Sequence, residues 1–293
     1  MGAQAVSMPR ISVVIPHYND PASLRLCLDA LERQTVGRDA FEVIVGDNNS
    51  PCGLAAVEDA VAGRARIVTV MEKGAGPARN GAAAEARGDI LAFTDSDCVV
   101  EPGWLAAGAA QIAPGTFLGG HMYVLQPAGR PNGVAALEMA LSFDNEGYVR
   151  RTKFTVTANL FVMRADFERV GGFRTGVSED LEWCHRAIAR GLTIDYAADA
   201  SVGHPPRPDW AALLVKSRRI QQELFLFNIE RPKGRLRWLA RSVLQPALIP
   251  SDAAKILRTP GTEGARGRAI AMLVALRFWR GGAGLLQLLG RNI

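Results

Sequence analysis

Short apolar runs alternate with amphipathic segments over the first hundred residues of the chain. Four of these runs are rich in β-branched or aromatic residues and predict buried strands at 11–15, 41–45, 67–70 and 90–93. The segments between them carry apolar residues at helical spacing, and the first begins with Asp20 as N-cap and Pro21 in the first turn. This alternation predicts an α/β domain with a doubly wound, mixed but mostly parallel sheet flanked by helices.

The pattern becomes less regular after residue 100. Seven further features are predicted: a helix at 101–112, a strand at 117–125, a loop at 126–133, a strand at 154–163, a helix that ends before Gly191, and two short strands at 194–196 and 200–202. From Asp209 onward the pattern is helical. We therefore predict an α/β domain over 1–204, with halves at 10–125 and 126–204, and a helical C-terminal extension over 205–293.

Polar side chains follow three of the first four predicted strands. They are Tyr18 and Asn19 after the first strand, Asp47 and Asn48 after the second, and Asp95 and Asp97 after the fourth. The carboxyl ends of parallel strands share one edge of a sheet, where ligands bind, so these residues predict a pocket. Two carboxylates one residue apart can hold a divalent cation together with diphosphate oxygens, although a solvated turn better explains an isolated Asp-Ser-Asp.

Several other classes of site are disfavoured. No Gly-x-Gly-x-x-Gly turn follows the first strand and the chain has no Gly-Lys-Ser/Thr loop, which argues against dinucleotide binding and a P-loop. The four cysteines lie far apart, which favours reduced thiols over disulfides or a zinc site. No apolar run precedes Arg10, so we expect no cleavable signal peptide and a cytoplasmic location.

Four motifs occur in an order and spacing that resemble family-2 glycosyltransferases of the GT-A fold. They are Val-Ile-Pro-His-Tyr-Asn at 14–19, Glu-Val-Ile-Val-Gly-Asp-Asn-Asn-Ser at 42–50, Gly-Pro-Ala-Arg-Asn-Gly at 76–81 and Thr-Asp-Ser-Asp at 94–97. With later matches, the resemblance covers roughly residues 10 to 205. Each motif alone is weak, but the four together are specific.

The resemblance implies a nucleotide-sugar site. It implies that Pro16, Tyr18 and Asn19 lie beside the base. It implies that Asp47, with Asn48 next to it, takes the N–H of the base, which is usually uracil. It further implies that Arg79 or Asn80 lies near the diphosphate, Asp95 and Ser96 on the ribose side, and Asp97 at the metal. Arg79 also has a plainer interpretation as a charge on a helix surface, although helix starts are places where anions are held.

A second cluster of acids occurs where a helix is predicted to begin. Glu179, Asp180 and Glu182 are fully explained as acids in the first turn of a helix. The family resemblance instead implies that Asp180 is the catalytic base and that Glu179 orients it, while Glu182 remains structural. It also implies that His204 is a third metal ligand, which would favour Mn²⁺ over Mg²⁺. A loop histidine is the alternative for His204.

Charge is distributed unevenly along the chain. From Pro205 onward there are 16 Lys and Arg against 5 Asp and Glu, a net charge of +11, which leaves 18 against 24, or −6, for residues 1–204. Tail helices that combine arginines with Trp, Phe and Leu fit an interfacial anchor on an anionic membrane, at its inner face. Packing on the catalytic domain or pairing across a homodimer explains them nearly as well. Nucleic acid is not expected because no recognised motif accompanies the charge, and we expect no membrane-spanning run.

Together these features predict a metal-dependent, inverting glycosyltransferase. It would use Mn²⁺ or Mg²⁺ to bind a nucleoside diphosphate sugar, most simply a UDP-sugar, and would glycosylate a hydroxyl of a glycan or lipid-linked acceptor. The alternative from a different class is a non-catalytic, nucleotide-binding scaffold at the membrane surface. A nucleotidyltransferase is a weaker alternative because it leaves the acids at Glu179 and Asp180 without a role.

Overall fold

The computed structural model describes residues 10–291 and 293. The segment on which the signal-peptide expectation rests, 1–9, lies outside the described residues. The chain divides into two compact units. Unit 1 comprises Met1–Met122, of which 10–122 are described, with Asp144–Thr175 and Glu179–His204; unit 2 comprises Tyr123–Phe143, Gly176–Ser178 and Pro205–Ile293.

In the described part of the chain, eight strands form one mixed sheet. They are β1 (Ile11–His17), β2 (Phe41–Asp47), β3 (Arg66–Thr69), β4 (Ile90–Phe93), β5 (Val99–Val100), β6 (Thr116–Val124), β7 (Leu160–Met163) and β8 (Thr193–His204). Their order is β3-β2-β1-β4-β7-β6-β8-β5. The pairs β1/β2, β2/β3 and β1/β4 are parallel, whereas β4/β7, β6/β7 and β5/β8 are antiparallel. The predicted mixed α/β sheet is therefore confirmed.

Helices connect and cover these strands. They are α1 (Pro21–Leu31), α2 (Leu54–Val61), α3 (Ala75–Ala84), α4 (Trp104–Gln111), α5 (Gly133–Leu141), α6 (Asn145–Gly147), α7 (Arg164–Val170), α8 (Glu179–Ala189), α9 (Trp210–Ile229), α10 (Gly234–Val243), α11 (Ile249–Arg258) and α12 (Arg266–Leu288). Helix α1 begins as its sequence predicts, because the Asp20 carboxylate accepts a hydrogen bond from the Ser23 N–H and Pro21 occupies the first turn.

An aromatic cluster forms the core beneath the motifs that carry the chemistry. Its members are Phe93, Phe117, Phe167, Phe173 and Trp183, all buried. Phe93 lies 5.3 Å from Phe167 and 5.4 Å from Phe173 between ring centroids. Phe93 ends the strand before Asp95, and Trp183 lies in the first turns of α8, so this packing holds the two acidic motifs in one unit.

Two sequence predictions of local structure are wrong. The expected strand at 154–163 is limited to β7, because Thr157–Asn159 form a 3₁₀ turn. Asn159 stabilises this turn: its amide donates to the carbonyls of His121 and Ala200, and its oxygen accepts the Trp104 indole N–H at 2.9 Å. The two short strands expected at 194–196 and 200–202 are one continuous strand, β8.

Unit 2 is helical apart from the end of β6. Helices α5, α11 and α12 pack around apolar side chains that include Leu137, Ile256 and Leu273. The stretch Glu263–Leu288 is long and apolar enough, by length and composition, to cross a membrane, and 33% of its apolar window is buried within the protein. The sequence predicted no membrane-spanning run, and this stretch is a candidate by those two criteria alone. The predicted boundaries at residues 125 and 204 stay predictions.

Candidate active site

Asp47 ends β2 in a buried hydrogen-bond network. The Ser50 hydroxyl donates to Asp47 Oδ1 at 2.5 Å, and the Ser50 N–H donates to Oδ2 at 3.1 Å. His17 Nε2 accepts the Asp20 N–H, so the ring proton lies on Nδ1, which donates to Asp47 Oδ1 at 2.8 Å. Burial would raise the pKa of Asp47, but the bonds from Ser50 and His17 hold it below its ordinary value. Asp47 is thus a fixed carboxylate.

The residues at the end of β1 differ in how far they are exposed to solvent. Pro16 is buried in β1, whereas Tyr18 has 60% of its surface exposed. Asn19 adopts a left-handed backbone (φ 54°), and its side-chain oxygen accepts the Cys52 N–H at 3.1 Å. The Tyr18 ring is therefore open to solvent beside an ordered turn, a position from which it can stack on a ligand.

Asn48 ties the end of β2 to the segment before α3. Its amide donates to the carbonyls of Val70 and Glu72, and its oxygen accepts the Gly74 N–H at 2.9 Å. All three bonds go to backbone groups. Asn48 therefore orders the turn from which α3 starts.

Asp95 and Asp97 lie directly after β4, half-buried, with Ser96 half-buried between them. One ligand atom from each of Asp95, Asp97 and Cys98 lies within 4.8 Å of the others. His204 is buried at the end of β8, and its Nε2 is 3.4 Å from Asp97 Oδ2. Two carboxylates with an adjacent imidazole fit a divalent cation. Burial raises the pKa of the Cys98 thiol, and the neighbouring Asp95 and Asp97 act in the same direction.

Arg79 connects the two acidic motifs. It lies on α3 and is buried, and its guanidinium pairs with Asp95 at 2.5 Å and with Glu179. Although burial opposes the charged form, Asp95 and Glu179 raise the pKa of Arg79. The structure therefore places Arg79 between two carboxylates, one on each side of the site.

The neighbouring Asn80 performs a structural task. Its amide donates to the Phe173 carbonyl, and its oxygen accepts the Phe173 N–H, both at 2.8 Å. A Cβ at Gly172 would lie 2.5 Å from the Asn80 side-chain oxygen, so this approach requires glycine. Asn80 thus fastens α3 to the segment that leads into α8.

Asp180 lies in the first turn of α8, half-buried. The Thr157 hydroxyl donates to its Oδ1 at 2.8 Å. Burial raises the pKa of Asp180 to about 7, with Glu179 and Asp95 acting in the same direction and with Arg79 and the Thr157 bond opposing them. A carboxyl group with this pKa can accept a proton near neutral pH.

The supporting residues of these sites were not identified from the sequence. His17 and Ser50 fix Asp47, Thr157 fixes Asp180, and Asn159 holds the turn that carries Thr157. The position of His17 at the end of a mostly apolar run was an available signal, because a polar group buried there needs a partner. Glu182 pairs with Arg186, as expected for a structural role.

Comparisons with known proteins find a family model and relatives that this chain resembles. Residues 12–167 match the family model described as "Glycosyl transferase family 2". Glycosyltransferase AglE of Haloferax volcanii is 32% identical over 226 residues, which cover 73% of this chain and 72% of AglE. Validoxylamine A glucosyltransferase of Streptomyces hygroscopicus subsp. jinggangensis is 30% identical over 233 residues, 66% of this chain and 54% of that protein.

Solved structures share the fold. The mannosyltransferase PcManGT from Pyrobaculum calidifontis, solved in complex with GDP-Man and Mn²⁺, has a TM-score of 0.59 at 22% identity. The alignment covers 97% of this chain and 90% of PcManGT.

Proposed function

The chain belongs to glycosyltransferase family 2, and from that premise we propose that it transfers a sugar, with inversion, from a nucleoside diphosphate sugar to an acceptor hydroxyl. The observation that carries this proposal is the Arg79 bridge. One buried guanidinium pairs with Asp95, beside the candidate metal ligands, and with Glu179, next to the candidate base. Acidic residues that are far apart in the sequence therefore contact one guanidinium. A reaction between two substrates requires binding groups that lie close together in this way.

The donor that we propose is a UDP-sugar. Asp47 is ionised and fixed, so its carboxylate can accept the N–H of a uracil ring while the exposed Tyr18 stacks on it. The complex of PcManGT with GDP-Man supports a nucleotide sugar as the class of donor. Asp95 and Ser96 lie next along the sheet edge, on the ribose side.

We propose that Asp97, Asp95 and His204 hold a divalent cation, with Mn²⁺ favoured by the imidazole. The Mn²⁺ in the PcManGT complex supports this choice. When bound, the cation would offset the negative charge that develops on the departing diphosphate. The protein's part is to present the two carboxylates from one turn after β4.

Asp180 is the base in this proposal. As the acceptor oxygen bonds to the anomeric carbon, its proton moves to the Asp180 carboxylate and the bond to the diphosphate breaks on the opposite face. Thr157 holds Oδ1, which leaves Oδ2 for the acceptor, and Glu179 is held by Arg79. A glycan or lipid-linked alcohol is the proposed acceptor class.

We propose a cytoplasmic site of action. All four cysteines are free, and Cys27, Cys98 and Cys184 are buried thiols, which suits a reducing compartment.

The substitution Asp180→Asn tests the catalytic role. It keeps the size of the side chain and an oxygen acceptor for Thr157, so we expect sugar transfer or donor hydrolysis to fall ~10²–10⁴-fold while UDP and Mn²⁺ still bind. Asp195→Asn, at an exposed position of β8, is the matched control and should retain activity. Full activity of Asp180→Asn would refute the base. UDP binding without turnover in the unsubstituted protein would favour the scaffold.

A further inference from the structure

Helix α10 has a buried face and, apart from it, an exposed apolar stripe. Trp238 and Ser242 are buried and face the interior of unit 2. On the other side Leu236, Leu239 and Val243 are 62%, 40% and 60% exposed. At about 3.6 residues per turn, these three side chains form one stripe. An exposed apolar stripe of this kind points to a partner that covers it.

Arginines border this stripe on both sides. Arg235 lies on one edge, and Arg237 and Arg241 lie on the other, one turn apart. The Arg241 guanidinium lies 5.6 Å from the centroid of the Trp238 ring. Burial and the nearby Arg277 lower the pKa of Arg241 without neutralising a guanidinium. The helix therefore offers an apolar strip with a cationic border.

Helix α12 carries a second exposed apolar stripe. Between 271 and 289 its exposed residues are all apolar, and those at successive turns are Ala271, Ala275, Phe278, Gly282, Leu285 and Leu289. Phe278 is 60% exposed and Leu289 is 75% exposed. Helices α10 and α12 pack together, and the Arg235 guanidinium donates to the Leu288 carbonyl at 2.8 Å.

We propose that these two exposed stripes form a membrane-docking surface that binds an anionic lipid bilayer. The surface is defined by Leu236, Leu239, Val243, Phe278, Leu285 and Leu289 with the border Arg235, Arg237 and Arg241. The apolar side chains enter the headgroup region, and the arginines contact lipid phosphates. The net charge of +11 over 205–293 attracts the same surface. Binding of lipid at this surface does not require the proposed transfer reaction.

The inner side of α12 argues that the helix lies on the bilayer and does not cross it. The Arg277 guanidinium pairs with the buried Asp252 and donates to Gln245 Oε1 at 2.8 Å. Gln221 donates to the Arg280 carbonyl at 3.1 Å. Moving α12 into lipid would break these polar contacts with α9 and α11 and would expose a buried carboxylate.

A second copy of the chain is a poorer occupant of the surface. In a symmetric dimer the same patch contacts itself, so each arginine border would face another arginine border. Like charges brought together in this way oppose association. An anionic lipid surface complements both features of the patch.

Sedimentation of the full chain with vesicles tests the proposal. We expect binding to vesicles with about 30% anionic phosphatidylglycerol, at least ~10-fold weaker binding to pure phosphatidylcholine, and loss of binding as salt rises. The double variant Leu236→Glu with Val243→Glu should weaken binding by ~10-fold or more. Leu26→Glu, at a position of α1 that is 61% exposed, is the matched control and should bind normally.

Further measurements separate the competing explanations. A thermal melt of each variant reports folding, and Arg237→Gln, which leaves the apolar stripe intact, should reduce the salt dependence of binding. Normal binding by the double variant, or equal binding to neutral vesicles, would overturn the proposal. So would a dimer in solution that the double variant dissociates. Retention in the membrane after alkaline carbonate extraction would show a spanning helix and would also overturn it.

Discussion

At the scale of single residues, the site depends on charges that are held close together by burial. Arg79 pairs with both Asp95 and Glu179, and Asp180 lies nearby without an ion pair of its own among the described contacts. This arrangement disfavours the ionised form of Asp180, because that form is desolvated beside other carboxylates. A base with a raised pKa binds a proton more tightly, and its ionised form lowers the stability of the native state.

The pKa of Asp180 predicts how activity depends on pH. Because the ionised carboxylate is the form that the proposed base requires, the transfer rate of the unsubstituted protein should rise with pH through about 7 and then level off. A pH series of kcat/KM at saturating Mn²⁺ measures this inflection. A rate that is already maximal near pH 5 would show that Asp180 ionises at its ordinary pKa or is not the base.

The same pKa predicts a gain in stability for Asp180→Asn. Folding raises the pKa from 3.8 to about 7, so the native state holds the proton more tightly and loses stability as pH rises across that interval. Above pH 7 the variant should therefore be more stable than the unsubstituted protein, by about 2 kcal/mol. Below pH 4 this gain should vanish. Urea unfolding at both pH values measures the difference, and equal stability at high pH would contradict it.

At the scale of elements, the position of α3 against the sheet decides where Arg79 lies. Helix α3 crosses β2 so closely that a Cβ at Gly46 would be 2.1 Å from the Ala78 carbonyl oxygen. Asn80 fixes the other side of the helix to Phe173. A small shift of α3 would therefore move the guanidinium that joins the two acidic motifs.

Gly46→Ala tests this packing. The added methyl group meets backbone atoms of Ala78, which have no room to yield, so we expect a loss of ~1–3 kcal/mol or more in unfolding free energy and weaker donor binding. Gly37→Ala is the matched control, since nothing lies within 4 Å of its Cβ and its φ is −57°. The control should be neutral or slightly stabilising in the same denaturation experiment. Equal stability of both variants would show that α3 adjusts freely.

At the scale of the whole molecule, the region with the proposed donor site and the region with the docking surface carry opposite net charges. The first 204 residues carry a net charge of −6 and contain the proposed donor site, while the remainder carries +11 and the docking surface. A donor site that binds its anionic ligand through a cation needs no positive surface of its own. Lipid binding and donor binding should therefore be separable.

Two variants test this separation. Asp97→Ala should abolish Mn²⁺-dependent UDP binding in calorimetry but bind anionic vesicles like the unsubstituted protein. The Leu236→Glu and Val243→Glu double variant should show the reverse, with normal UDP binding and weak vesicle binding. Loss of both properties in either variant would show that the two sites are coupled or that the protein has misfolded.

The sequence by itself determined the fold family, the alternation of the first four strands with helices, and the order of the acidic motifs. These features are local: β-branched runs, the Asp20-Pro21 start of α1 and the turns after each strand depend on neighbours along the chain. Only the tertiary structure decided the contacts of Arg79, the network of His17 and Ser50 around Asp47, and the break of the expected strand at Thr157–Asn159. It also decided which apolar residues of the tail stay exposed. Such contacts join residues up to a hundred positions apart, as Arg79 and Glu179 are, and no local pattern encodes them.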